Sequence, residues 1–294
     1  MAILSVALVT RNRPESLNRC LESLRRQSIQ PYEIVISDDS EPDRVHEIQE
    51  VANRWDCRYV AGPRQGLYAN RNYAALACKG THIRTMDDDH LFPPGHMEQC
   101  LEAVQSDPKS IWTTGEVLFI EGKYHEGTLT AGQLAPSGVS ESVKDVNDNW
   151  AIADGSTIYP SEVFSQGHRM VEWFNYGSSY LEFGAYLYQC GFKSRCIMGA
   201  IVEHHPLDTS IFNRNYTPKV LESALFSCLC YNLHFKPNLL LAMRYVPPKL
   251  VRAKFEVGIQ KTLSLSLERS KERWMTNSQL SEAFNSQFTH QDSK

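Results

Sequence analysis

Between Thr81 and Glu98 the chain reads THIRTMDDDHLFPPGHME, an apolar stretch that runs straight into Asp87, Asp88 and Asp89, then His90 and a Pro-Pro turn. Three adjacent carboxylates at the end of a buried strand repel one another, and burying them is costly unless a positive charge compensates. A hard divalent cation answers that need: magnesium or manganese takes oxygens from one or two carboxylates and fills its shell with phosphate and water. A solvated acidic turn would answer it too, so the triplet alone decides nothing. Other polar groups stand in the same relation to apolar runs: Thr10 to Arg13 after the first, Asp38 and Asp39 after Ile34 to Ile36, and Arg71 in GLYANRN. Together they offer a hydroxyl, acids able to accept from a nucleoside base, and a permanently charged planar donor for a diphosphate. Singly, each has a plainer role: Thr10 as a helix cap, Asp38 as a turn former, Arg71 as the partner of a surface acid.

Bringing these groups to one edge requires a scaffold of alternating strands and helices. The run from Ile3 to Thr10 reads as a buried strand, and Leu17, Cys20, Leu21 and Leu24 recur at helical spacing after Pro14, a residue suited to a first helical turn. The scheme repeats through YEIVISDD and a helix near 44–55, CRYVAG and a helix closing at Gly80, then HIRTM. Short connections between such units imply a parallel sheet covered on both faces, with ligands beyond the carboxyl ends of its strands. From Ile111 the pattern changes to antiparallel-like alternation. A polar segment, APSGVSESVKDVNDN, follows and has the composition of a mobile loop over the site. Further strands are expected in WAIADGSTIYP and RCIMGAIVEHHP, a helix in SYLEFGAYLYQCG, and helices from Pro218 onward.

In this order the segments SVALVTRNRPESLNRCLESLRRQ, EIVISDDSEPD and GLYANRNYAALACKGTHIRTMDDDHLFPPG resemble family 2 glycosyltransferases of the GT-A nucleotide-sugar fold. The likeness covers roughly the first third of the chain and is looser in WFNYGSSYLEFGAYLYQCGF and VEHHPLDTS. It implies an α/β fold, a Rossmann-like and mostly parallel sheet flanked by helices with a C-terminal helical extension. Residues 1–110 would form the nucleotide-sugar-binding half, 111–215 the acceptor-binding and catalytic half of the same domain, and 216–294 the extension. It further implies that Thr10 and Arg13 line the nucleotide pocket, that Asp38 or Asp39 accepts from the base, and that Arg71 approaches the diphosphate. Asp87 and Asp88 would face the nucleotide, and Asp89 would hold the metal, joined by His204 or, in poorer register, His205. Asp208 or Ser210 would begin a lid.

The activity so implied is metal-dependent, inverting transfer of a sugar from a nucleoside diphosphate to a glycan, lipid-linked or small-molecule acceptor, in one displacement. An acceptor hydroxyl needs a general base. The family places a Glu-Asp pair at the start of a helix ending in glycine, but Ser179 and Tyr180 stand there in this chain. Glu182, the surviving acid two residues on, is the first candidate; dipole stabilisation at a helix start would explain it equally. Asp154 and Glu172 are the remaining acids near the predicted acceptor side, with Asp154 the second candidate. Trp173, Phe174 and Tyr176 would floor a sugar ring or belong to the core.

Composition bounds the rest. The 294 residues carry a net charge of −4, which gives no general reason to expect a nucleic-acid partner. MAILSVALVT lacks a basic leader region, and eight scattered cysteines without a C-x-x-C pair fit a reducing cytoplasm, with attachment at the inner membrane face as an extension of that reading. Residues 236–254 combine leucines with Lys236, Arg244, Lys249, Arg252 and Lys254. Such a stretch fits packing on its own domain or on a second subunit of a homo-oligomer, and an anionic membrane surface stays open as peripheral partner. Two other classes share part of the pattern. A nucleotidyltransferase would want a glycine-rich phosphate loop that VTRNRPESL lacks, and a non-catalytic sugar-nucleotide-binding module would explain the missing Glu-Asp pair.

Overall fold

A computed structural model describes residues 2–125, 127–206, 218–252, 259–272, 275, 279, 280 and 282. The first half alternates as the sequence demands: β1 (Leu4–Thr10), α1 (Pro14–Arg25), β2 (Glu33–Asp38), α2 (Val45–Arg54), β3 (Arg58–Ala61), α3 (Leu67–Ala77) and β4 (His82–Asp87). Then come β5 (His90–Leu91), α4 (His96–Ser106), β6 (Ile111–Ile120), β7 (Lys123–Tyr124), β8 (Gln133–Leu134), β9 (Ser140–Glu141), β10 (Thr157–Pro160), α5 (Glu162–Ser165), α6 (Ser179–Gln189) and β11 (Ser194–His204). The chain closes with α7 (Pro218–Leu229), a π-helical turn over Cys230–Phe235, α8 (Leu239–Arg252) and α9 (Ile259–Glu272).

The main sheet runs β3-β2-β1-β4-β10-β6-β11-β5, with β7 paired to β6. β3, β2, β1 and β4 are parallel, β10 is antiparallel to both its neighbours, and β11 returns parallel to β6. Alternation along β1 sorts its side chains between two cores, as a period of two requires. Leu4, Val6 and Leu8 pack with Leu17, Leu21 and Leu24 of α1, Ile48 of α2 and Met97 of α4. Ala7 and Val9 pack with Tyr68 and Ala74 of α3, Phe183 and Tyr186 of α6 and Phe226 of α7.

Register places the polar groups. Thr10 pairs with Asp38 across β1 and β2, and Val9 with Asp87 across β1 and β4. β5 and β11 pair His90 with His204. One sheet edge therefore collects residues more than a hundred positions apart. The first part of the expected loop is packed down: Gly138 lies against Ala224 and Cys228, and Asn232 donates to the Pro136 carbonyl at 2.7 Å, which binds it to α7 and the π turn. All eight cysteines are free thiols. No helix among the described residues is long and apolar enough to cross a membrane.

Candidate functional site

The three aspartates at the end of β4 are held by two arginines and a hydroxyl. The Thr10 hydroxyl donates to Asp88 Oδ2 at 2.6 Å, and Arg13 Nε donates to the same oxygen at 3.1 Å. Arg13 reaches Asp88 Oδ1 as well, and its Nη1 lies 2.8 Å from Asp89 Oδ2. Burial pushes the Asp88 carboxyl up against the pull of Arg13. Burial also works against the Arg13 charge, but the three aspartates outweigh it and hold the guanidinium cationic. Thr10 and Arg13 thus brace the aspartates, while Arg13 keeps 34% of its side chain exposed.

Arg71 is placed differently from the expectation. Its side chain is 2% exposed, and Nη2 lies 2.8 and 2.6 Å from the two Asp87 oxygens while Nη1 contacts Asp154 Oδ1. A guanidinium that deep in protein needs carboxylate partners, and it takes the two within reach. Its work in this structure is to fix Asp87 and Asp154 side by side, not to meet a diphosphate. Gly155 follows with φ +80°, and a Cβ there would come within 2.5 Å of Asp87 Oδ2, so both the turn and the space demand glycine.

On the other side of Asp89 lie two imidazoles. His204 Nε2 is 3.6 Å from Asp89 Oδ2, and its Nδ1 is 3.0 Å from Glu116 Oε1 of β6. Burial opposes protonation of His204, yet Asp89 and Glu116 overcome it and lift the ring to about 10. The rings of His90 and His204 meet edge to face at 5.1 Å, and burial pushes His90 down, toward its neutral form. Asp89 Oδ1 and His90 Nδ1 are buried without a hydrogen-bond partner. Asp89, His90 and His204 can each offer one ligand atom within 4.8 Å of the others. A carboxylate and two imidazoles at that spacing fit the protein share of a divalent cation's shell, leaving positions for phosphate oxygens. His205 stays outside this group: its Nε2 is 3.0 Å from Glu203 and its ring lies on Phe119.

The remaining candidates separate. Asp38 Oδ1 accepts from the Ser40 N–H and Oδ2 from the Tyr59 hydroxyl; Asp39 Oδ1 accepts from the Arg64 N–H at 2.9 Å. Gly62 passes so close that a Cβ would meet Asp39 Oδ1 at 2.2 Å. The acidic turn after β2 is therefore locked, at the same edge as the cluster. Phe174 is core, whereas Trp173 and Tyr176 are exposed beside it. Glu172 accepts from Asn72 at 2.9 Å. Asp208 and Ser210 lie outside the described residues.

Glu182 requires a correction. It is fully buried, 3.1 Å from Nε of Arg269, which lies on Tyr186 and also pairs with Glu272. In this arrangement its carboxylate is closed to an acceptor, because α9 covers it with a matched cation. Ser179 and Tyr180, standing in for the Glu-Asp pair, open α6 with the Ser179 N–H bonded to Ser223 of α7 at 2.8 Å. Three residues of consequence escaped the sequence reading. His90 stood next to the triplet and could have been read with it, Glu116 showed only as an acid in an apolar strand, and Arg269 gave no local signal.

A Rossmann-like sheet flanked by helices, with acidic residues and a histidine gathered beyond its strand ends, is the arrangement expected of a GT-A fold. Residues 5–165 match the model of Glycosyl transferase family 2, and the chain belongs to that family. It is similar to Escherichia coli chondroitin synthase, 29% identical over 41% of this chain and 18% of that protein. It is also similar to the uncharacterized glycosyltransferase YwdF of Bacillus subtilis strain 168, 31% identical over 35% of this chain and 38% of that one. The chain thus matches well under two thirds of the length of these relatives. Among solved structures, S. aureus TarS 1-349 in complex with UDP-GlcNAc superposes with a TM-score of 0.61 at 14% identity, over 92% of this chain and 78% of that one. GalNAc-T7 with UDP, GalNAc and Mn2+ superposes with a TM-score of 0.62 at 18% identity, over 77% and 48%. These likenesses share the fold.

Proposed function

We propose that this glycosyltransferase moves a sugar from a nucleoside diphosphate to an acceptor hydroxyl in a single, inverting displacement that depends on a divalent cation. The observation that carries the reading is the convergence of Asp89, His90 and His204 beside the paired Asp87 and Asp154. The carboxylate with two nitrogens favours a transition ion such as manganese over magnesium. A cation held there supplies charge neutralisation to the departing diphosphate. The protein residues do the rest. Thr10, Arg13 and Arg71 keep the carboxylates at fixed positions, and Glu116 orients the His204 ring so that Nε2 faces Asp89.

The acceptor's base is assigned to Asp154, whose side chain is 34% exposed while Arg71 holds one of its oxygens. As the acceptor oxygen attacks the anomeric carbon, Asp154 takes its proton, and the nucleoside diphosphate leaves with the electrons of the broken bond. Uridine is the first base to test, because the two solved neighbours were crystallised with UDP or UDP-GlcNAc. The test is a panel of nucleotide sugars with manganese, reading released diphosphate. Release that a chelator stops and Asp89→Asn abolishes supports the proposal; release indifferent to both refutes the metal assignment.

A further inference from the structure

Helix α8 has two apolar faces, and the protein covers one of them. Ala242 is buried and Leu241, Tyr245, Val246, Lys249 and Leu250 are half-buried, a repeat of three and four residues that turns one side of the helix inward. That side meets α7 and the π turn. The opposite side holds Leu239, Leu240, Met243 and Val251, exposed by 73%, 74%, 56% and 70%, with Pro247 and Pro248 between them and Arg244 as the one charge. A surface helix of a globular protein normally turns charged and polar residues to solvent on this side. Large side chains lined up on one exposed face mark a contact surface.

Charge selects the occupant. From Ser223 to Phe255 the sequence contains no Asp or Glu, but it contains Lys236, Arg244, Lys249, Arg252 and Lys254, in a chain whose net charge is −4. Two copies meeting face to face about a twofold axis would set this basic segment against itself, with no acid inside it to compensate. An anionic lipid surface provides both an apolar layer for the leucines and the opposite charge for Arg244 beside them, within a segment that carries no acid of its own. We infer that α8 lies in the headgroup region of an anionic membrane, with Leu239, Leu240, Met243 and Val251 inserted and Arg244 at phosphate level. This attachment is peripheral and independent of the sugar-transfer chemistry assigned above.

Flotation of the full-length protein with vesicles tests it, using phosphatidylcholine alone or with one third phosphatidylglycerol, at low and high salt. The protein is expected to float with the anionic vesicles, less at high salt, and to stay behind with phosphatidylcholine alone. Replacing Leu239, Leu240, Met243 and Val251 together by serine should weaken vesicle affinity at least about tenfold, with nucleotide binding unchanged as a check of folding. Should that variant misfold, Arg244→Glu alone should weaken binding at least about fivefold, since a basic residue at an anionic surface is worth about that factor. Failure to float with anionic vesicles overturns the inference, as does flotation that neither variant alters. So does a concentration-dependent dimer in sedimentation that the serine variant dissociates, which would give the face to a second copy.

Discussion

Replacing Glu182 by glutamine separates a catalytic from a structural carboxylate. In the structure its oxygen lies 3.1 Å from Nε of Arg269, with the two side chains 0% and 4% exposed. At an effective dielectric of about 20, unit charges at that distance attract by roughly 5 kcal/mol. The loss on substitution is smaller, because Arg269 keeps Glu272 at 2.8 Å and the Arg169 carbonyl at 2.7 Å, and glutamine still offers an acceptor. A cost of about 2–4 kcal/mol follows for breaking such a buried pair. For a chain of this size that lowers the unfolding midpoint by roughly 3–6 °C. The assay is thermal unfolding of Glu182→Gln, with turnover measured well below its transition. The expected result is a destabilised protein that turns over within about threefold of the parent, whereas loss of a general base costs about 100-fold or more. Glu182→Leu with Arg269→Leu should recover part of the stability, since an apolar pair of similar volume replaces the ions. Unaltered stability with turnover reduced 100-fold would refute the structural reading and return Glu182 to the chemistry.

Asp154→Asn is expected to lower the rate of transfer by about 100-fold or more while leaving the affinity for a nucleoside diphosphate with manganese unchanged, measured by calorimetry beside steady-state rates. Glu116→Gln should weaken manganese binding by about 10–100-fold without nucleotide present, read by electron spin resonance of the free ion, because it orients the His204 ring. Arg84 is fully buried on the Phe92 ring, and its Nε and Nη2 have no hydrogen-bond partner; Arg84→Met should leave urea stability unchanged or raise it by up to about 3 kcal/mol. His168 is pushed down to about 4 from its ordinary 6.5 by burial, then by Arg269 and Arg169. The unfolded chain therefore takes up that proton first as pH falls. Stability from this residue is level above pH 6.5 and drops between there and about 4, by about 1.4 kcal/mol per pH unit. His168→Gln should flatten urea stability over that window.

What could be read from the chain follows the range of the forces involved. Alternation along β1, helical spacing in α1 and the carboxylates at strand ends are local patterns, so the parallel half of the sheet and the position of its polar edge were legible. Partner choice within that edge was not. Arg71 looked like a ligand for a diphosphate because its residue type suits one. A guanidinium 2% exposed first satisfies itself with the nearest carboxylates, and Asp87 and Asp154 reach it from two different elements. Glu182 looked like a base because its helix resembles the family's. The residue that answers it, Arg269, arrives from a helix 87 positions later in the sequence. The same reasoning explains why the acidic edge is tolerable within the fold. Asp87, Asp88, Asp89 and Asp154 are met by Arg13, Arg71 and His204 in direct ion pairs, so the repulsion apparent in the sequence is compensated by cations from three other elements. A further cation beside Asp89 would then compete with Arg13 and with the proton on His204 for one carboxylate, so metal affinity depends on how readily those two give way.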